Sequence, residues 1–278
     1  MKVVVGAGGF IGSAVAEYFT ANYTGSLLGL DHGQLDLLDP QQLAGPFSKI
    51  EEPFNIIYCA GISRSEADDS KSSELNIKML QNLTNSLAGT KIQKITFLSS
   101  VEIYGNTPGL PLDENSPARP ERKYAEAKLQ QEELLRTFCQ QQNCQLSLLR
   151  LPGVYGRSEK KLGFINQLTD RLQNGGNYQI YQGGGERRDF LHILDLVQVI
   201  FLLEDKEIPE QLLNIATGES YSTLQWKDWL CQKLAVSGSA IEILPATKEL
   251  GHLEFDTSKL RELLPEFKFS LPQDVLGL

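Results

Sequence analysis

Five short apolar runs divide the first half of the chain: Lys2-Val3-Val4-Val5, Ser26-Leu27-Leu28-Gly29-Leu30, Asn55-Ile56-Ile57-Tyr58-Cys59, Lys94-Ile95-Thr96-Phe97-Leu98 and Leu146-Ser147-Leu148-Leu149-Arg150-Leu151. Each has the length of a strand, and the third is apolar enough to be buried on both faces, as parallel strands are. Helix formers fill the stretches between them: residues 13–20, a short piece after Asp39-Pro40, Asn76 to about Leu87, and a polar run without Gly or Pro from Glu121 to Gln142. Strand and helix in alternation predict an α/β fold with a doubly wound parallel sheet. Beyond Arg157 the alternation breaks. A helix at 164–172, a glycine turn at Asn174-Gly175-Gly176, strands at 178–181 and 212–216, a flexible glycine-rich loop at 183–192, and helices at 193–203 and after Asp256 predict a smaller α+β unit. The expected boundaries are residues 1–156 for the first unit and 157–278 mainly for the second, with 186–217 returning to the first.

The 278 residues can bury a sizeable core, and 41% hydrophobic with 22% charged residues is an ordinary globular balance. A net charge of −9 argues against nucleic acid or an anionic membrane as a general partner. An anionic substrate would therefore need a local basic site. Cys59, Cys139, Cys144 and Cys231 form no C-x-x-C pair and no cluster, so they read as reduced packing residues and no metal site is expected. With no apolar run long enough to span a bilayer and no signal-peptide core, the expected compartment is the cytoplasm.

Chemistry begins where the first strand ends. Gly6, Gly9 and Gly12 lie between that strand and a helix, a context in which glycines allow a tight turn and the approach of backbone to a pyrophosphate at a helix N-terminus. A flexible loop is the bland alternative. Gly6, Gly9, Phe10, Ile11 and Gly12 are the expected dinucleotide contacts. Asp31 closes the second strand nineteen residues after Gly12, where an acid meets the adenosine ribose hydroxyls, a turn residue before His32-Gly33 being the alternative. No Arg or Lys lies between Asp31 and Gln42 to receive a 2′-phosphate, which favours NAD over NADP. Asp36 is placed to approach the adenine, and Ala60-Gly61 at the end of the third strand to sit over the cofactor.

In the polar helix, Tyr124 and Lys128 are four apart and share a face. Ionising a phenol at pH 7 costs about 4 kcal/mol. An ammonium about 5 Å away returns about 3 kcal/mol at an effective dielectric near 20, and an oxidised nicotinamide adds to it. The pair suits general acid–base work; a tyrosine packed on an aliphatic lysine stem is the competing reading. Ser100 ends the fourth strand, where open α/β sheets bind ligands. Arg64 serves a substrate anion or pairs with Glu66. Arg187 and Arg188 match a phosphate, or form a solvated pair beside Glu186 and Asp189. His192 reads as structural, and the four prolines between Asn106 and Pro120 as a surface loop.

Taken in order, Gly6/Gly9/Gly12, Asp31, Asp36, Ala60-Gly61, Asn76, Ser99-Ser100 with Tyr104-Gly105, Tyr124/Lys128, Arg150 with Tyr155-Gly156, Arg188-Asp189-Phe190, Asp195, Asn214 and Asp256 with Ser258-Lys259 resemble the extended short-chain dehydrogenase/reductase superfamily in its nucleotide-sugar epimerase/dehydratase branch. The resemblance covers nearly the whole chain. It implies a Rossmann sheet holding NAD with a smaller C-terminal substrate domain, and Asn76 among the cofactor contacts. It implies Ser100 and Tyr124 on the sugar oxygen, Lys128 on the nicotinamide ribose, and Arg188 on the diphosphate of a nucleoside-diphosphate sugar. Dehydratases acting on dTDP-glucose carry Asp-Glu after the serine; here Val101 precedes Glu102, so elimination of that type is not expected. Glu102 is a further candidate base, weighed against a peripheral polar role. Many epimerases have Asn where this chain has Gly153. The compact segment from Asp31 to Pro40 resembles small 4-keto-sugar reductases, whereas Arg188 and its neighbours favour an epimerase. The expected reaction is hydride transfer at sugar carbon 4, with a homodimer as the expected assembly. The rival is a catalytically silent NAD-binding sensor or regulatory subunit.

Overall fold

The computed structural model describes all residues except 44, 106–108, 158–162, 209, 248–250 and 276–278. In chain order its elements are β1 (Lys2–Val5), α1 (Phe10–Asn22), β2 (Leu27–Leu30), α2 (Pro40–Leu43), β3 (Phe54–Tyr58), α3 (Ser70–Leu87), β4 (Ile92–Ser100), α4 (Lys123–Gln142), β5 (Gln145–Leu151), β6 (Gly153–Tyr155), α5 (Phe164–Asn174), β7 (Tyr178–Ile180), β8 (Arg187–Arg188), β9 (Phe190–His192), α6 (Ile193–Glu204), β10 (Glu210–Asn214), β11 (Tyr221–Ser222), α7 (Thr223–Leu234), β12 (Ile241–Ile243), α8 (Ser258–Leu263) and α9 (Pro272–Val275). Two compact units result, one of Met1–Gly105, Pro117–Arg150 and Val197–Leu213, the other of Asn106–Ser116, Leu151–Leu196 and Asn214–Leu278.

The first unit is built on a doubly wound parallel sheet of six strands in the order β10-β5-β4-β3-β1-β2. β1 pairs in parallel with β2 on one side and β3 on the other, so Val3 lies between Leu28 and Ile56. The order reverses between β1 and β3, and ligands of open α/β sheets bind at such a switch point. The apolar runs are strands because both faces are covered: on one, Val3, Phe54, Ile56, Ile95, Phe97 and Leu148 are buried in one core with Leu80, Leu83 and Leu87 of α3 and Leu135 of α4, and on the other Val4, Ile57 and Leu149 are buried as well. At one end of the sheet, buried Glu204 accepts from Lys2 Nζ at 3.2 Å, Asn55 Nδ2 at 3.3 Å and Thr96 Oγ1. Lys94 Nζ donates to the Leu203 carbonyl at 2.8 Å, satisfying a helix-end acceptor that has no partner within its own helix.

Helix α3 begins six residues earlier than the sequence pattern predicts, at Ser70. Asp69 accepts the Ser72 N–H and the Ser72 hydroxyl side chain accepts the Asp69 N–H. This capping box stabilises a serine-rich first turn whose apolar periodicity is weak.

In the second unit, β8 pairs antiparallel with β11, β12 parallel with β7, and β6 parallel with β9. Its core is aromatic: Trp226 stands 5.4 Å from both Tyr155 and Phe190 and 5.6 Å from Trp229, ring centroid to centroid. Arg187 and Arg188, expected in a flexible loop, form a short strand instead, because Tyr221 and Ser222 supply the antiparallel partner. Helix α7, not foreseen, starts at a capping box between Ser222 and Gln225. Of the expected proline-rich loop, residues 106–108 lie outside the described residues. Among the described residues no helix is long and apolar enough to cross a membrane.

Candidate active site

The turn after β1 is held by its own backbone. Gly6 has φ +87°, and a Cβ there would lie 2.6 Å from the Ala60 nitrogen, so the glycine turn and the loop after β3 abut across the switch point. A Cβ on Gly12 would collide with the Gly6 carbonyl oxygen, which keeps the start of α1 close under the turn. Gly9 caps α1 with no side-chain acceptor, and the first turn of that helix carries no acid. The N–H groups of Phe10, Ile11 and Gly12 thus make a helix N-terminus suited to an anion, which fits the pyrophosphate of a dinucleotide.

Asp31 lies beside this turn, its Cβ 3.1 Å from where a Gly8 Cβ would be. Its Oδ1 accepts the Gln34 N–H at 3.0 Å. Asp36 makes a comparable local turn, accepting the Leu38 N–H at 2.9 Å. Asn76 is spent on the loop after β3: its Oδ1 accepts the Ile62 N–H at 2.7 Å and its Nδ2 donates to the Ile62 carbonyl at 2.9 Å. That clamp shapes Ala60-Gly61-Ile62 from a buried position on α3.

Helix α4 brings the expected pair together. Lys128 is buried, donates to the Leu98 carbonyl of β4 at 2.7 Å, and lies 5.7 Å from the Tyr124 ring centroid and 4.5 Å from that of Phe97. Burial pulls its ammonium down to about 8, with Glu132 and Cys59 pulling the other way. One turn further, buried Glu132 receives Arg150 through two hydrogen bonds, 3.0 and 2.8 Å, and the Ser99 hydroxyl at 2.6 Å. Arg150 also lies over the Tyr104 ring at 4.8 Å. Tyr124, Lys128 and Glu132 are thus successive rungs of one helix face.

The electrostatics of Tyr124 differ from what its spacing to Lys128 suggests. Burial and the Glu102 carboxylate raise its phenol above the usual tyrosine range, and Arg64 opposes them. The lysine's hydrogen bond goes to the Leu98 carbonyl. Tyr124 is therefore held as the neutral phenol.

Glu102 follows Ser100, whose Oγ accepts the Glu102 N–H at 3.2 Å. Its carboxylate lies 3.1 Å from Arg64 Nη1 and 3.7 Å from Arg122 Nε. Arg64 therefore pairs with Glu102, while Glu66 accepts the Ser63 N–H and hydroxyl at 3.1 and 2.9 Å. Arg122 escaped the sequence reading, although its place two residues before Tyr124 was a signal.

In the second unit Arg188 is partly buried. Its Nη2 lies 2.9 Å from Glu186 Oε2, and its Nη1 donates to the Gly251 carbonyl. Arg187 reaches Glu254 at 2.9 Å and the Ser220 carbonyl at 2.8 Å. Asp189 turns inward, accepting from Thr217 Oγ1 at 2.9 Å and the Gly218 N–H at 2.9 Å; burial nonetheless pushes its carboxyl up to about 7. His192 is buried with its ring 5.2 Å from that of Tyr155, consistent with a structural role. Asp195 accepts the Ser270 hydroxyl at 2.8 Å.

The glycine turn at the switch point and the Tyr/Lys helix against β4 both lie within the residues that one family model matches. The model of the NAD dependent epimerase/dehydratase family matches residues 2–216. The chain belongs to that family. It is 22% identical to the UDP-glucose 4-epimerase of Mycolicibacterium smegmatis, over 94% of this chain and 91% of that one. It is 26% identical to a dTDP-4-dehydro-6-deoxy-D-allose reductase from Streptomyces, over 80% and 78%. Among solved structures, the UDP-glucose 4-epimerase of Thermotoga maritima with UDP-glucose superimposes with a TM-score of 0.86 at 22% identity, covering 99% of this chain and 96% of that one. The UDP-glucuronic acid 4-epimerase of Bacillus cereus, in complex with UDP-glucuronic acid and NAD, gives 0.84 at 22%, again over 99% and 96%. At those identities the superpositions establish the Rossmann fold.

Proposed function

We propose that the protein is an NAD-dependent 4-epimerase of a nucleoside-diphosphate hexose, most simply a UDP-sugar. The observation that carries the reading is the Tyr124/Lys128 pair of α4 set against the end of β4, with Lys128 anchored on Leu98. NAD would be held by the Gly6–Gly12 turn, by Asp31 at the ribose hydroxyls, by Asp36, by the Ala60-Gly61 loop that Asn76 shapes, and by Lys128. When bound it supplies a reversible hydride acceptor. Tyr124 removes and returns the proton of the sugar 4-hydroxyl, and Ser100 orients that oxygen. Lys128 stabilises the phenolate, Arg188 binds the substrate's diphosphate, and Arg64 is a further candidate for substrate charge. Glu102 keeps Tyr124 protonated until a positive charge arrives beside it, and its pairing with two arginines makes a base role for it unnecessary.

The Mycolicibacterium smegmatis relative, matched over most of both chains, supports epimerisation despite the compact segment after Asp31. The Streptomyces relative supports a second reading, a 4-keto-sugar reductase. An epimerase keeps its NAD through the cycle, whereas a reductase consumes NADH in step with product. The relatives, named as enzymes, lend the silent-sensor alternative no support. The proposed compartment is the cytoplasm. The proposed assembly is a homodimer, measured by light scattering.

The test is turnover of UDP-glucose and UDP-galactose followed by NMR, wild type against Tyr124→Phe. The variant is expected to lose about 10²–10⁴-fold in rate while still binding NAD. A variant retaining a tenth of the wild-type rate would remove Tyr124 from the chemistry.

A further inference from the structure

The first turn of α4 is capped from a distant part of the chain. Its N-cap residue, Arg122, makes no side-chain cap bond. Instead the Tyr124 N–H donates to Asp68 Oδ1 at 3.0 Å, fifty-six residues back in the loop between β3 and α3. Asp68 Oδ2 holds Arg122 Nη1 at 3.2 Å, Arg122 Nε faces Glu102 Oε2 at 3.7 Å, and Glu102 Oε1 holds Arg64 Nη1 at 3.1 Å. Two acids and two arginines thus link three segments: the loop after β3, the turn after β4 that begins at Ser100, and the start of the helix that carries Tyr124. Arg64 and Arg122 have side-chain exposures of 45% and 54%, so these ion pairs add little to stability. Their geometry fixes where the Tyr124 backbone begins relative to Ser100, and reactions of this kind are sensitive to such placement.

We propose that Asp68 is a positioning residue for Tyr124, holding the first turn of α4 by its N–H and, through Arg122 and Glu102, registering that turn against the Ser100 turn. The assignment rests on Tyr124 as the acid/base group. Asp68→Ala removes both the cap and the ion pair; Asp68→Asn keeps an acceptor for the Tyr124 N–H and loses the charge. Three quantities are measured on the full-length protein: steady-state kinetics with a UDP-hexose, NAD affinity by calorimetry, and hydrogen exchange of the peptide spanning 122–126. For Asp68→Ala, kcat is expected to fall about tenfold or more, with KM and NAD affinity within about twofold of wild type and faster exchange at the Tyr124 amide. Asp68→Asn should restore both the slow exchange and most of kcat. An Asp68→Ala enzyme at wild-type kcat beside an inactive Tyr124→Phe enzyme overturns the proposal alone. So does a fall in kcat matched by equal losses of NAD affinity and thermal stability, or one that Asp68→Asn does not rescue. An active Tyr124→Phe enzyme overturns the acid/base reading, and the proposal with it.

Discussion

Lys128 offers a test in which stability and activity move in opposite directions. Its ammonium is buried against Leu98, Phe97 and Tyr124, and burial brings its pKa down from 10.5 to about 8. A lysine whose folded pKa lies below its unfolded value binds fewer protons in the folded state across the interval between the two. From this group alone, stability rises with pH between about 8 and 10.5, and the full cost of burying the charge is present below about 8. The interval corresponds to about 3 kcal/mol at 1.36 kcal/mol per unit. Lys128→Met keeps much of the side-chain volume and removes the titration. Urea unfolding of wild type and variant at about pH 7 and about pH 10 should therefore give a stability advantage for the variant that shrinks by roughly 2–3 kcal/mol from the lower pH to the higher. Turnover should be lost in the variant at both. Loss of the hydrogen bond to Leu98 lowers both variant values alike, so the change with pH is the diagnostic quantity. Parallel stability–pH curves for the two proteins would refute a buried, charge-bearing Lys128.

Other expectations follow from single contacts. Asp31 beside the glycine turn should disfavour a 2′-phosphate by about 3 kcal/mol per unit of like charge before screening, so NADH binds more tightly than NADPH; equal dissociation constants would remove Asp31 from the ribose. Arg188→Ala should weaken nucleotide-sugar binding roughly ten- to a hundredfold, since charge-assisted hydrogen bonds contribute about 1.5–3 kcal/mol each; calorimetry should show NAD affinity unchanged. Gly12→Ala places a methyl against the Gly6 carbonyl and should abolish NAD binding while a folded far-ultraviolet spectrum persists; wild-type NAD affinity would contradict the packed turn. Asp189, whose folded carboxyl stands above its unfolded value, holds more protons folded than unfolded between 3.8 and about 7, so its contribution to stability falls as pH rises through that window. A flatter unfolding profile over that range in Asp189→Asn checks it.

The strands of the sheet were legible because parallel strands covered on both faces leave uninterrupted apolar runs, and α4 was legible because twenty residues without Gly or Pro admit little else. The start of α3 was not, because hydrogen bonds between Asp69 and Ser72 decide it while hydrophobic periodicity is weak there. β8 was missed for a different reason: two arginines become a strand only when Tyr221 and Ser222, more than thirty residues later, lie beside them. In the site, Tyr124, Lys128, Ser100 and the glycines could be named from local spacing. Asp68, Arg122 and the Arg64–Glu102 pair could not, since their partners are far away in sequence and their meaning depends on which loops the topology brings to one sheet edge.

Glu132 shows how much of the site's order is set one turn away from it. A carboxylate with no exposed surface is costly unless it is paired and fully hydrogen-bonded, and Glu132 meets both conditions through Arg150 and Ser99. Removing Arg150 would leave the buried Glu132 carboxylate with Arg136, 3.8 Å away, as its remaining ion-pair partner among the described residues, so the pair tolerates little sliding of α4 along β4 and β5. Lys128, four residues earlier on the same face, is thereby fixed opposite Leu98, and Tyr124, four residues earlier again, emerges near the end of β4 where the strand turns at Ser100. Asp68 holds the free end of the same rung series. Tyr124, the proposed acid/base residue, is thus located by a buried ion pair at one end of an eight-residue span and by an exposed cap at the other. Disturbing the first should unfold the unit, whereas disturbing the second should only misplace Tyr124.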